Sequence, residues 1–121
     1  MNELTVIYIE DDETETFLFN LGLSSRGIDV LPIGDAQPRS LTMMEAPEYQ
    51  AAKAVFFDLW LGGVNGLELA KTLRARGDSR PFFMLTAGEN PDPDLLRSLG
   101  IVYIRKPADY DKVADMVRSL F

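Results

Sequence analysis

The feature that most constrains this chain is an alternation repeated five times: a short apolar run, then a stretch with helical spacing. Residues 4–9 form a β-rich run that ends abruptly at Glu10-Asp11-Asp12. Residues 14–25 follow as a helix with Phe17, Leu18 and Leu21 on one face and Gly27 as a stop. Asp29 to Ile33 reads as a strand, and so does Ala54-Val55-Phe56-Phe57, which ends at Asp58. Asn65 with Glu68 three residues on makes a capping-box start for a helix carrying Leu67, Ala70 and Leu73 and stopping at Gly77. Pro81 to Leu85 is a further strand, closed by Thr86. A short helix opens at Asp92-Pro93 and ends at Gly100, and residues 102–104 make the last strand. Asp109 caps a final helix running to Phe121, with Val113, Met116, Val117 and Leu120 facing inward. Helical crossovers between apolar strands imply a parallel sheet covered on both faces. The strand order expected for five such units is 2-1-3-4-5, a doubly wound, flavodoxin-like α/β fold. Residues 34–53 carry Pro38 and Pro47, with Pro32 just before them, so the second helix is expected to be short, displaced or broken. The fourth helix is expected to be shortened.

Composition narrows the chemistry. A chain of 121 residues fits one domain, 1–121, with a core large enough to fold without staples. It has no cysteine and no histidine, which excludes disulfides, thiolate and imidazole metal sites, and Ser-His-Asp catalysis. Any general base must be a carboxylate, a lysine or water. The net charge of −7 disfavours direct nucleic-acid binding, which draws its affinity from cationic contacts to phosphate. No signal peptide is visible at Met1-Asn2-Glu3-Leu4, and no apolar run approaches the roughly 18 residues that span a bilayer, so a cytoplasmic location is expected.

In an open α/β sheet, ligands bind beyond the carboxyl ends of the strands. Glu10, Asp11 and Asp12 follow the first strand, Asp58 ends the third, Thr86 the fourth, and Lys106 with Pro107 the fifth. Clustered acids repel one another, a cost tolerated where a hard divalent cation neutralises them. Mg²⁺ fits: Asp11 and Asp58 can supply carboxylate oxygens, the loop after Asp58 a carbonyl, and Glu10 a water-mediated contact. A carboxylate can attack an activated phosphoryl group. Lys106 and Thr86 would then stabilise the equatorial oxygens. Pro107 marks a turn whose preceding peptide is a candidate for the cis form.

These stretches resemble the response-regulator receiver domain across essentially the whole chain. The resemblance is carried by Ile7 to Asp12, Phe56 to Gly66, Met84-Leu85-Thr86-Ala87 and Tyr103 to Pro107. It implies an acidic pair at Glu10 and Asp11, phosphorylation at Asp58, a carbonyl metal ligand at Trp60, a switch pair at Thr86 and Tyr103, and a lysine at Lys106. It also implies a histidine kinase or histidine phosphotransfer protein as phosphoryl donor, and a downstream protein bound through the last two helices. Gly62 stands where the family usually has proline, so a more mobile loop is expected there. The large Trp60 side chain suggests a cover that slows attack of water on an acyl phosphate.

Two other readings fit parts of the pattern. A receiver-like interaction domain that no longer switches is favoured mildly by the altered second and fourth helices. An aspartyl-phosphate phosphatase of the haloacid-dehalogenase type would want a second aspartate two residues after the first, where Trp60 stands. Each motif also has a plainer use: acids favour helix N-termini, aspartate caps and turns are common, and threonine and tyrosine are routine in strands.

Overall fold

The computed structural model describes residues 4–88 and 91–120. Five parallel strands form the sheet: β1 (Thr5–Ile9), β2 (Asp29–Ile33), β3 (Ala54–Asp58), β4 (Phe82–Thr86) and β5 (Ile101–Arg105). Their spatial order is β2-β1-β3-β4-β5, the expected 2-1-3-4-5. The helices are α1 (Glu13–Ser24), α2 (Pro38–Leu41), α3 (Pro47–Gln50), α4 (Gly66–Ala75), α5 (Pro93–Ser98) and α6 (Tyr110–Arg118).

Side-chain alternation along the strands divides the core into two layers. On β3, Val55 and Phe57 join Ile7, Ile9, Phe82 and Met84 beneath Leu69 and Leu73 of α4 and Leu96 of α5. Ala54 and Phe56 face the other way, with Val6, Tyr8, Phe83 and Leu85, against Phe19 and Leu23 of α1 and Val113 and Val117 of α6.

The region expected to be irregular is broken into three pieces: α2, a 3₁₀ turn over Thr42–Glu45, and α3. Pro38 and Pro47 each sit in the first turn of a helical piece, where a missing N–H costs nothing. Arg80 fastens this segment to the sheet. Its guanidinium donates to the carbonyls of Tyr49 (2.6 Å) and Ala52 (3.1 Å) and pairs with Asp78 at 2.8 Å.

Three expectations are corrected. In α1, Phe17, Leu18 and Leu21 point outward, with Phe17 63% exposed. The buried pair is Phe19 and Leu23, spaced i,i+4, and Tyr8 fixes that phase by stacking on Phe19 with ring centroids 4.0 Å apart. In α6, Val113, Ala114 and Val117 are buried, Met116 is half-buried and Leu120 is exposed beyond the helix end. Phe121 lies outside the described residues. Asn65 caps α4 by accepting from the Leu67 amide at 2.7 Å, but Glu68 pairs with Lys71 at 3.1 Å instead of reaching back to close the box.

Candidate functional site

Parallel strands end on one edge, and there the structure gathers the residues singled out above. Asp58 terminates β3, the central strand, and Thr86 terminates β4 beside it, with Asp58 in register with Leu85. Lys106 follows β5, and its amide donates to the Thr86 carbonyl at 2.9 Å, which sets the ammonium stem next to Asp58. The peptide between Lys106 and Pro107 is cis. The Lys106 ammonium reaches the Asp58 carboxylate at 2.5 Å and lies 3.7 Å from Glu15 of α1. Burial lowers the affinity of that ammonium for its proton, but the hydrogen bond and charge of Asp58, with the charges of Glu15 and Glu10, outweigh it, and the net shift is upward. The Asp58 side chain is 16% exposed, so the pair is sheltered yet reachable. An open cleft of about 340 Å³ is lined by Asp58, Trp60, Thr86, Ala87, Gly88 and Lys106. Thr86 is 3% exposed.

The loop after Asp58, where a glycine replaces the proline usual in the family, has a regular geometry. Trp60–Leu61 and Val64–Asn65 form a small antiparallel hairpin, closed by Gly62 and Gly63 with φ of 54° and 89°. Two successive left-handed residues are what a two-residue primed turn needs, and glycine adopts them without strain. The glycine at position 62 therefore helps close a hairpin. The Trp60 amide points to Asp58 Oδ1 at 3.4 Å, and its indole is 52% exposed at the rim of the cleft.

The acidic turn is organised by Glu10, which is buried to 4% exposure. Its Oε1 accepts from the amides of Asp11 (3.0 Å) and Asp12 (3.2 Å), and its Oε2 accepts from the Tyr8 hydroxyl at 3.3 Å. Burial is the main cause that pushes the Glu10 carboxyl up to about 7. The adjacent Asp11 side chain adds to the rise, and the Asp12 amide and Lys106 oppose it. Burial, then the charge of Glu10, drives ionisation of Tyr8 far above its ordinary range, so its hydroxyl acts as a donor. Asp12 caps α1 through the Glu15 amide at 3.0 Å. Asp11 is exposed and turned toward the hairpin: a Cβ built on Gly62 would lie 3.0 Å from its Oδ2. Tyr103 is half-buried on β5 and packs against the α4–α5 layer rather than lining the cleft.

Among the described residues no three carboxylates gather as a ready metal cage. Mg²⁺ does not require one, because it is held by one or two carboxylates and keeps several waters. Asp11 and Asp58, both hard oxygen donors brought to the same hairpin, fit that pattern.

Sequence reasoning missed three contributors. Tyr8 was visible as a hydroxyl-bearing side chain two residues before Glu10 and therefore on the same side of β1. Glu15 is an ordinary acid in a helical first turn and gave no signal. Gly66 sits at the start of α4 against the Asp58 carbonyl, a contact that no local pattern announces.

No family model matches the sequence. Among curated proteins, the transcriptional regulatory protein FixJ of Bradyrhizobium diazoefficiens is 28% identical over 116 residues, covering 94% of this chain and 55% of its own length. The sensory transduction protein RegX3 of Mycolicibacterium smegmatis is 28% identical over 121 residues, covering 96% of this chain and 50% of its own length. The chain thus spans about half the length of these relatives. The structure of a CheY-like response regulator receiver domain from Methylobacillus flagellatus superposes with a TM-score of 0.81 at 22% identity, covering 98% of each chain.

Proposed function

We propose that this chain, which has the fold of response-regulator receiver domains, is a phosphoacceptor switch that takes a phosphoryl group on Asp58. The observation that carries the reading is the Asp58–Lys106 pair at 2.5 Å, set at the end of the central strand in a cleft walled by Thr86 and open to solvent.

An Asp58 carboxylate oxygen attacks the phosphorus of a phosphohistidine on a donor protein. The P–N bond breaks, and the departing imidazole takes a proton. These 121 residues hold no histidine, so the phosphoryl group comes from outside them, from a histidine kinase or histidine phosphotransfer protein. The Lys106 ammonium, already seated on Asp58, exchanges part of that contact for an equatorial oxygen as negative charge accumulates there. The Thr86 hydroxyl donates to another equatorial oxygen. Asp11, Asp58 and the Trp60 carbonyl would hold Mg²⁺, which when bound neutralises the carboxylates and the incoming phosphoryl charge. Reorientation of Thr86 and Tyr103 then alters the surface near the last two helices, where a downstream protein docks. The role is signalling, with catalysis confined to the domain's own phosphorylation and dephosphorylation. Among the described residues no helix is long and apolar enough to cross a membrane. The location proposed with this signalling role is the cytoplasm.

The test is the intact mass after incubation with acetyl phosphate. A single phosphoryl adduct that requires Mg²⁺ and is absent from Asp58→Asn is expected. An adduct that persists in Asp58→Asn would overturn the assignment.

A further inference from the structure

Tyr8 lies at the foot of the site, fully buried among Val6, Phe19, Phe56 and other apolar side chains. Phenylalanine would fill that space equally well, so it is the hydroxyl that needs a reason. A buried hydroxyl without a partner is costly, and here the partner is Glu10 Oε2 at 3.3 Å. The other Glu10 oxygen receives the two amides of the turn that follows it. The ring of Tyr8 stacks on Phe19 of α1, and Asp12 of the same turn caps α1. One connected path therefore runs from α1 through Tyr8 and Glu10 into the Asp11-Asp12 backbone and back to α1. The Glu10 amide is held as well, donating to the Ile33 carbonyl of β2 at 3.0 Å.

We propose that Tyr8 is a positioning residue: its hydroxyl holds the Glu10 carboxylate against the Asp11 and Asp12 amides, and this fixes the turn that presents Asp11 to the Gly62 hairpin. Glu10 then serves the site as the organiser of a turn, and Asp11 with Asp58 supplies the cation-facing carboxylates. The proposal rests on the phosphoacceptor reading for the purpose of that turn, but the geometry is tested without it.

The variant is Tyr8→Phe, which keeps the ring and its stacking on Phe19. The first readout is solvent exchange of the Asp11 and Asp12 amide protons in metal-free protein, followed by NMR. Faster exchange at both amides, with the rest of the sheet unchanged, is expected. Exchange identical to that of the parent chain overturns the proposal. The second readout is Mg²⁺ affinity, followed by the fluorescence of Trp60, the single tryptophan, at the rim of the Asp58 cleft. Loss of an outer contact that orients metal ligands typically weakens binding by roughly tenfold or more, and a loss of that size is expected for Tyr8→Phe. In a Glu10→Ala background, Tyr8→Phe should cost nothing further. An equal loss with and without Glu10 would assign the effect to packing and overturn the proposal. If the parent chain gives no Mg²⁺ response, the phosphoacceptor reading fails, and the amide exchange alone decides the role of Tyr8.

Discussion

Gly66→Ala sets two physical effects against each other, and the structure says which wins. Gly66 opens α4, and alanine is the better helix former by up to about 1 kcal/mol in a helix interior, less at a first position. Propensity alone therefore predicts a small gain. A Cβ on Gly66, however, would lie 2.3 Å from the Asp58 carbonyl oxygen and 3.1 Å from the Leu59 Cα. Both are backbone atoms, so no rotamer change relieves the clash. Separating them also stretches the bond from the Gly66 amide to the Leu59 carbonyl, now 2.6 Å. Overpacking of this kind costs roughly 1–3 kcal/mol, and a backbone hydrogen bond contributes about 1 kcal/mol. Set against the helix gain, the net loss is about 2 kcal/mol, or a fall of about 8 °C in melting temperature for a domain of this size. Thermal unfolding followed by circular dichroism measures it, with Gly88→Ala as the control because nothing lies within 4 Å of a Cβ there. The strain falls on the Asp58 backbone, so phosphoryl acceptance should drop along with stability. An alanine variant as stable as the parent, or more so, would refute the reasoning.

Lys106→Met should cut the rate of phosphorylation by acetyl phosphate by roughly 10²–10³-fold, the usual effect of losing one preorganised charged donor; a rate within a factor of two of the parent chain would contradict the role given to Lys106. Gly22→Ala places a Cβ 2.6 Å from the Tyr110 ring and should prise α1 from α6 at a cost of roughly 1–3 kcal/mol, read by urea unfolding. Arg80→Ala should cost about 3 kcal/mol, because it frees two carbonyls and removes the salt bridge from the largely buried Asp78 carboxylate. Burial pushes the Asp78 carboxyl up, but the hydrogen bonds and charge of Arg80 hold it net below the ordinary range. Its contribution is therefore present above the unfolded value near 3.8 and is lost as pH falls through the depressed folded value. The parent chain should shed that part of its stability at the acid end, and Arg80→Ala should show a flatter acid limb in denaturant titrations between about pH 2 and pH 5.

The strands were legible because a buried parallel strand is written as a short apolar run, and four of the five runs here, all but the one ending at Ile33, close on a polar residue that marks the binding edge. Asp58, Thr86 and Lys106 could be placed together without coordinates, since parallel strands put all their carboxyl ends on one side. The phase of α1 was not legible. Its sequence carries apolar residues at 17, 18, 19, 21 and 23, and which pair faces the sheet depends on the fit of Phe19 against Tyr8, a tertiary contact. The hairpin at Gly62-Gly63 was hidden because two glycines read equally as slack or as a primed turn. The inward orientation of Glu10 was hidden because an acid in an exposed-looking acidic triplet is expected to face solvent.

The most direct test of the account is to locate the acceptor by chemistry. An aspartyl phosphate is reduced by borohydride to homoserine, whereas a free carboxylate is not. After reaction with acetyl phosphate and Mg²⁺, peptide mapping should find homoserine at position 58 alone. Homoserine at position 11 or 12, or a phosphoryl adduct that borohydride leaves untouched, would contradict the assignment of Asp58 as the group that carries the signal.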